Sequence, residues 1–198
     1  VIFFFFNAIF LFMLNDNVFD FGYASLDKFF ELAPWVFMFL VPAITMRSLS
    51  DEFKAGTFEI LKTKPLSSGQ IVLGKYLSIL AVLLLAIIPT IMYVITIRSL
   101  SAQGGIDSGG IAGSYIGLFL LAAVFAAIGL CCSGFTNNAV VAFLISTFSC
   151  LILYFGFNAL SQLPFFAGGA DYYVEMLGID FHYRSLSRGV LDSRDLVY

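Results

Sequence analysis

Apolar and polar residues alternate along this chain in long blocks, not at the short periods of a soluble helix or strand. Residues 1–14 are almost wholly apolar. An acidic interval follows to Lys28, then a second apolar block over 29–46. Residues 47–70 are polar. Apolar blocks over 71–97, 111–132 and 139–160 come next, separated by a Gly-rich stretch at 99–110 and a short uncharged turn at 134–138. A helix needs ~20 apolar residues to cross the hydrocarbon of a bilayer, and four of the five blocks have about that length. The pattern predicts an all-α, polytopic membrane helix bundle. The first block reads as the outer part of a span, cut short. Asp192 is placed to cap a further helix, so six spans are expected, with the first and sixth truncated. Residues 161–198 read as short helices lying at the outer interface.

Composition agrees. The 198 residues are 60% hydrophobic and 12% charged, with 24 Phe and a mean hydropathy of +0.96. Soluble domains carry about 25% charged residues. A net charge of −3 disfavours nucleic acid as a partner, because such proteins need a basic face. Cys131, Cys132 and Cys150 fall in or beside apolar blocks and read as small hydrophobes, without the spacing of a metal site.

Charge sets the expected topology. Arg47, Lys54, Lys62, Lys64 and Lys75 face Asp51, Glu52 and Glu59 in the central polar stretch, a formal charge of +2. Short loops rich in Lys and Arg stay in the cytoplasm. The acidic interval at 15–28 and the distal segment, with three Arg against five acids, are expected outside.

Within the central stretch, Ser50 is placed to cap a short helix with Asp51 and Glu52 in its first turn. Leu49, Phe53, Gly56 and Ile60 fall on one face at helical spacing. The element reads as amphipathic, lying along the membrane surface, with Lys54, Glu59 and Lys62 turned away. Pro65 ends it. Ser67 and Gln70 form a capping box for the third span, and Pro42 is expected to kink the second.

Two nucleotide-site look-alikes fail on inspection. Gly69–Lys75 fits the opening of a phosphate-binding loop, but Tyr76 stands where Ser or Thr must hold Mg²⁺. Leu66–Gln70 resembles an ABC ATPase signature without the phosphate loop and acid that signature requires. No catalytic constellation is present, and His182, the single histidine, reads as a surface or headgroup contact. In the fourth span Gly113, Gly117, Ala122, Ala126 and Gly129 recur at helical spacing, with Ser133 beyond them. Small residues so spaced let helices approach closely in lipid.

Residues 42–76 carry a family resemblance. Arg47, Glu52, Gly56, Thr57, Glu59, Pro65, Gly74 and Lys75 occur in the order of the central cytoplasmic segment of ABC-2-type transporter permeases. Phe53, Lys54 and Ala55 depart mildly, where that family often has two basic residues. Residues 32–48 and 180–196 look like the gliding-motility-associated permease subgroup of Bacteroidota. The resemblance implies a non-enzymatic, multi-pass subunit of the bacterial inner membrane. It implies a second permease subunit, as homo- or heterodimer, and a separate ABC ATPase that binds ATP and Mg, so that this chain holds no cofactor. Coupling to the ATPase would fall to Arg47, Glu52, Phe53, Gly56, Thr57, Glu59, Pro65 and Lys75. For the gliding subgroup it further implies an auxiliary motility component. The alternative is a non-transporting scaffold subunit of a motility or secretion complex. An intramembrane enzyme is disfavoured by the lack of acid–base groups in the spans.

Overall fold

The polar and apolar blocks become helices whose ends follow capping chemistry. The computed structural model describes residues 2–12, 26–62, 67–100, 108–163 and 171–187. In order they form α1 (Ile2–Phe12), α2 (Asp27–Thr45), α3 (Ser50–Ala55), α4 (Thr57–Lys62), α5 (Ser68–Ile87), α6 (Ile91–Leu100), α7 (Ser108–Gly134), α8 (Ala139–Ser161), α9 (Asp171–Glu175) and α10 (Ile179–Ser187). No strand occurs among the described residues. Four helical stretches there are long and apolar enough to cross a membrane: Asp27–Ala55, Ser68–Ser99, Gly109–Gly134 and Ala139–Ser161.

The capping box expected for the third span forms, and the fifth span has a cap of its own. The Ser67 N–H donates to Gln70 Oε1 at 2.9 Å and the Gln70 N–H to Ser67 Oγ at 3.3 Å, closing the capping box ahead of α5. Asn138 Oδ1 accepts from the Val140 N–H at 3.0 Å and caps α8. α2 continues as helix through Pro34 and Pro42 to Thr45.

The third span is not one continuous α-helix. Ile88–Thr90 winds as a 3₁₀ turn between α5 and α6. Pro89 has no N–H to give the preceding turn and its ring crowds it, so the ladder tightens there. The Thr90 hydroxyl donates to the Ile87 carbonyl at 2.6 Å, and the Tyr115 hydroxyl donates to the Thr90 carbonyl at 3.0 Å. These side chains satisfy backbone that the break leaves open.

The contacts divide the described residues into two units. The first draws on Val1–Val36, Leu84–Leu121 and His182–Tyr198. Its core is aromatic. Phe29 meets Phe3 and Tyr93 edge-on at 6.3 and 5.7 Å, Phe30 meets Tyr115 at 5.2 Å, and Phe4 stacks on Tyr93 at 4.9 Å. The Tyr93 hydroxyl donates to the Phe4 carbonyl. α10 packs into this unit by one face. It turns Tyr183 and Leu186 inward. The Tyr183 hydroxyl donates to the Phe30 carbonyl at 2.6 Å, and Ser114 Oγ donates to the Ser187 carbonyl at 2.8 Å. His182 is buried, not at the surface.

The second unit draws on Phe37–Leu83 and Ala122–Phe181. Phe125 and Tyr154 join α7 to α8 edge-to-face at 6.2 Å, and the Tyr76 hydroxyl ties α5 to the Ala123 carbonyl at 3.1 Å. Along α8, Ala142, Ser146 and Cys150 form a buried face. α9 lies against α8. Nearby, Asn158 Nδ2 donates to Asp180 Oδ2 at 3.4 Å.

Large apolar side chains stay exposed along the spans, among them Leu77, Leu85, Phe148 and Ile152. In water that surface would aggregate. In a bilayer it is the solvated face. α7 is the most enclosed of the four long stretches, with 56% of its most apolar window buried against 28% for Ser68–Ser99 and for α8.

Candidate functional site

The polar stretch between α2 and α5 folds into two short helices with a sharp joint. α2 stops at Thr45, and residues 46–49 turn, with the Ser48 N–H reaching the Thr45 carbonyl at 2.9 Å. α3 then places Asp51 and Glu52 in its first turn, at the positive end of its dipole. It ends at Gly56, whose φ of 69° is left-handed and whose N–H returns to the carbonyls of Glu52 and Phe53. That conformation favours glycine because a Cβ is strained there. α4 restarts at Thr57.

The single amphipathic stripe expected over this stretch is therefore broken. Leu49 is buried and Phe53 half-buried, but Gly56 is exposed, with nothing within 4 Å of where a Cβ would stand. Its role is the bend, not a close approach. The apolar contact that bridges the bend is Phe53 on Phe58, with ring centroids 4.7 Å apart. Arg47, Asp51, Lys54, Thr57 and Glu59 are exposed. Pro65 and the side chain of Ile60 lie outside the described residues.

Ser50 is not the cap that its sequence position suggests. Its hydroxyl donates back to the Met46 carbonyl at 2.5 Å, and no side chain within α3 caps that helix. The cap comes from α7. Ser133 Oγ accepts from the Leu49 N–H at 3.0 Å and the Ser50 N–H at 3.1 Å, and donates to the Met46 carbonyl at 3.0 Å. The first N–H groups of a helix have no intrahelical acceptor, and a fully buried hydroxyl must find partners. Each meets the other's need.

A second side chain reaches the same turn from α5. Lys75 Nζ donates to the Ser48 carbonyl and pairs with Glu52 Oε1, each at 2.5 Å. Lys75 is 19% exposed and its partner Glu52 29%. Glu52 Oε2 is buried, with no hydrogen-bond partner among the described residues. Arg47 and Glu59 are not drawn into this group. Residues 69–75 are helical turns of α5, so the apparent phosphate loop is not a loop.

On α7, the small residues Gly113, Gly117, Ala122, Ala126 and Gly129 are all buried. A Cβ on Gly117 would stand 2.5 Å from Leu186 Cβ on α10. One on Gly129 would stand 2.1 Å from Thr45 Oγ1 on α2. Backbones approach at both points. No group of His, Cys, Asp or Glu among the described residues could hold a metal.

Ser133 was noticed in the sequence only as the last of these small residues. Its three hydrogen bonds span more than eighty residues of chain, and no local pattern carries that pairing.

Residues 7–167 match the family model described as ABC-2 family transporter protein. The chain belongs to this family. It is a multi-pass membrane component of an ABC transporter, a permease subunit. No curated protein and no solved structure matched the chain.

Proposed function

We propose that this permease passes ATP-driven movement from a separate ABC ATPase to its spans, and that the stretch from Ser50 to Lys64 is where the ATPase docks. The observation that carries this reading is the jointed pair α3–Gly56–α4. It is placed between two spans, anchored by Leu49 and Phe53, and presents Asp51, Lys54, Thr57 and Glu59 outward. The excess of Lys and Arg over residues 47–75 supports a place for this stretch on the cytoplasmic side of the inner membrane, where an ATPase would meet it. In this reading ATP and Mg belong to the partner, and a second permease subunit completes the translocating unit. The likeness of residues 32–48 and 180–196 to gliding-motility-associated permeases supports work in surface motility, with an auxiliary component.

Co-purification with the ATPase, together with stimulation of its ATP hydrolysis, tests the proposal. Gly56→Trp at a left-handed φ with open space around it strains the joint without crowding the bundle. Glu52→Ala removes the carboxylate that Lys75 holds. Both variants are expected to insert and melt near the parent while losing ATPase binding or stimulation. If both bind and stimulate like the parent, α3 and α4 are an interfacial element only. A scaffold subunit would likewise leave ATP hydrolysis unstimulated in the parent itself.

A further inference from the structure

The turn between α2 and α3 is held from two other spans, by side chains, at backbone atoms. From α7, Ser133 Oγ engages Met46 O, Leu49 N and Ser50 N within 3.0–3.1 Å. From α5, Lys75 Nζ engages Ser48 O at 2.5 Å and the Glu52 carboxylate one turn further on. Three spans therefore meet at one five-residue piece of backbone. Bonds to backbone follow the position of the turn, whatever its side chains do. A displacement of α3 must either drag the ends of α7 and α5 with it or break these bonds.

We propose that Ser133 is a positioning residue that carries movement of α3 into α7, with Lys75 doing the same for α5. This rests on the reading that the ATPase docks on α3 and α4. Ser133 stands at the end of α7, the most enclosed span, whose close approach to α2 at Gly129 lies one helical turn away. A pull at Ser133 is therefore applied to a helix already locked against its neighbour and is not lost in a loose terminus. Lys75 differs in kind. It is a half-buried charge on a flexible stem, and its partner Glu52 has a second, enclosed oxygen without a donor among the described residues. A half-satisfied carboxylate has a reason to exchange partners when α3 shifts, since an unmet acceptor is unfavourable. Ser133 thus acts as the fixed link and Lys75–Glu52 as the link that rearranges.

The test uses the whole permease with its ATPase in lipid nanodiscs. A nitroxide is placed on native Cys131, which is exposed on α7 while Cys132 and Cys150 are buried. Addition of ATP with vanadate to the parent is expected to change the label's spectrum. Ser133→Ala is expected to abolish that change while the ATPase still co-purifies in parent amounts. A second label on α5, at Leu77→Cys in a protein lacking Cys131, sits at an exposed position and reads the other link: Lys75→Met is expected to reduce its response, and Lys75→Arg, which keeps donors at that place, to restore it. If Ser133→Ala fails to fold, the Lys75→Met and Lys75→Arg pair makes the same comparison. A full spectral response in both Ser133→Ala and Lys75→Met, with the ATPase bound, overturns the proposal. So does a parent label indifferent to nucleotide, or loss of ATPase binding in Ser133→Ala. A parent that binds no ATPase at all fails the docking reading itself.

Discussion

Gly129→Ala adds one methyl at the tighter of the two glycine approaches described on α7. The new Cβ would stand 2.1 Å from Thr45 Oγ1, 3.0 Å from Thr45 Cβ and 3.3 Å from Thr45 Cγ2, where ordinary contact begins at 3.4 Å. The shortfall at Oγ1 is 3.4 less 2.1, or 1.3 Å. Thr45 is fully buried and cannot swing into open space. Rotation of its side chain would also break the hydroxyl's bond to the Val41 carbonyl at 3.1 Å. The remaining route is to part α2 from α7, and a close-packed interior resists that. Overpacking of this kind costs ~1–3 kcal/mol, and the high end applies because all three side-chain atoms of Thr45 are in the way. The lost hydrogen bond adds ~1 kcal/mol, and the better helix propensity of alanine returns ~1 kcal/mol. The net destabilisation is ~2–3 kcal/mol, a fall of about 4–12 °C in melting temperature for a chain of this length. Thermal unfolding in detergent, followed by circular dichroism, measures it. Thr45→Ala removes Oγ1 and Cγ2, so the double variant is expected to recover part of the loss, with a coupling of ~0.5–3 kcal/mol. A Gly129→Ala protein that melts at or above the parent temperature would refute the close approach of α2 and α7.

The same argument at Gly117 predicts that Gly117→Leu destabilises the bundle by ~1–3 kcal/mol, since a Cβ there already meets Leu186 at 2.5 Å. Unchanged melting in detergent would place that face of α7 toward lipid. For topology, a cysteine at position 62 in a protein lacking Cys131, Cys132 and Cys150 is expected to resist an impermeant thiol reagent until cells are opened. Labelling in intact cells would put residues 47–75 on the outer side and remove the docking proposal with it.

Much of this protein is legible in its sequence because lipid imposes one requirement above others. Backbone polar groups in hydrocarbon must be paired within the segment, so long apolar blocks become helices whatever they pack against. The block boundaries at Ser67 and Asn138 follow from side chains that satisfy helix ends within two or three residues. The small-residue face of α7 is likewise visible as a spacing. The break at Ile88–Thr90 was legible in principle, since Pro89 lies well inside the third span, but hydropathy averages over it.

The central stretch shows where such reading stops. Its composition, sign and helical tendency are local, and Gly56 marks a bend that Cα chirality makes expensive for other residues. Which donor caps α3 is not local. Ser50 has the right residue type in the right place, yet its hydroxyl turns back to Met46 and Ser133 takes the role from the far end of α7. Lys75 had open solvent as its simplest destination, and the approach of α5 to α3 gave it Ser48 and Glu52 instead. His182 reads as a surface group by polarity and is buried because α10 folds inward. Apolar length is a property of a segment, and a segment carries it in its own residues. A hydrogen bond between positions more than eighty residues apart depends on where two helices end relative to each other, which only packing decides.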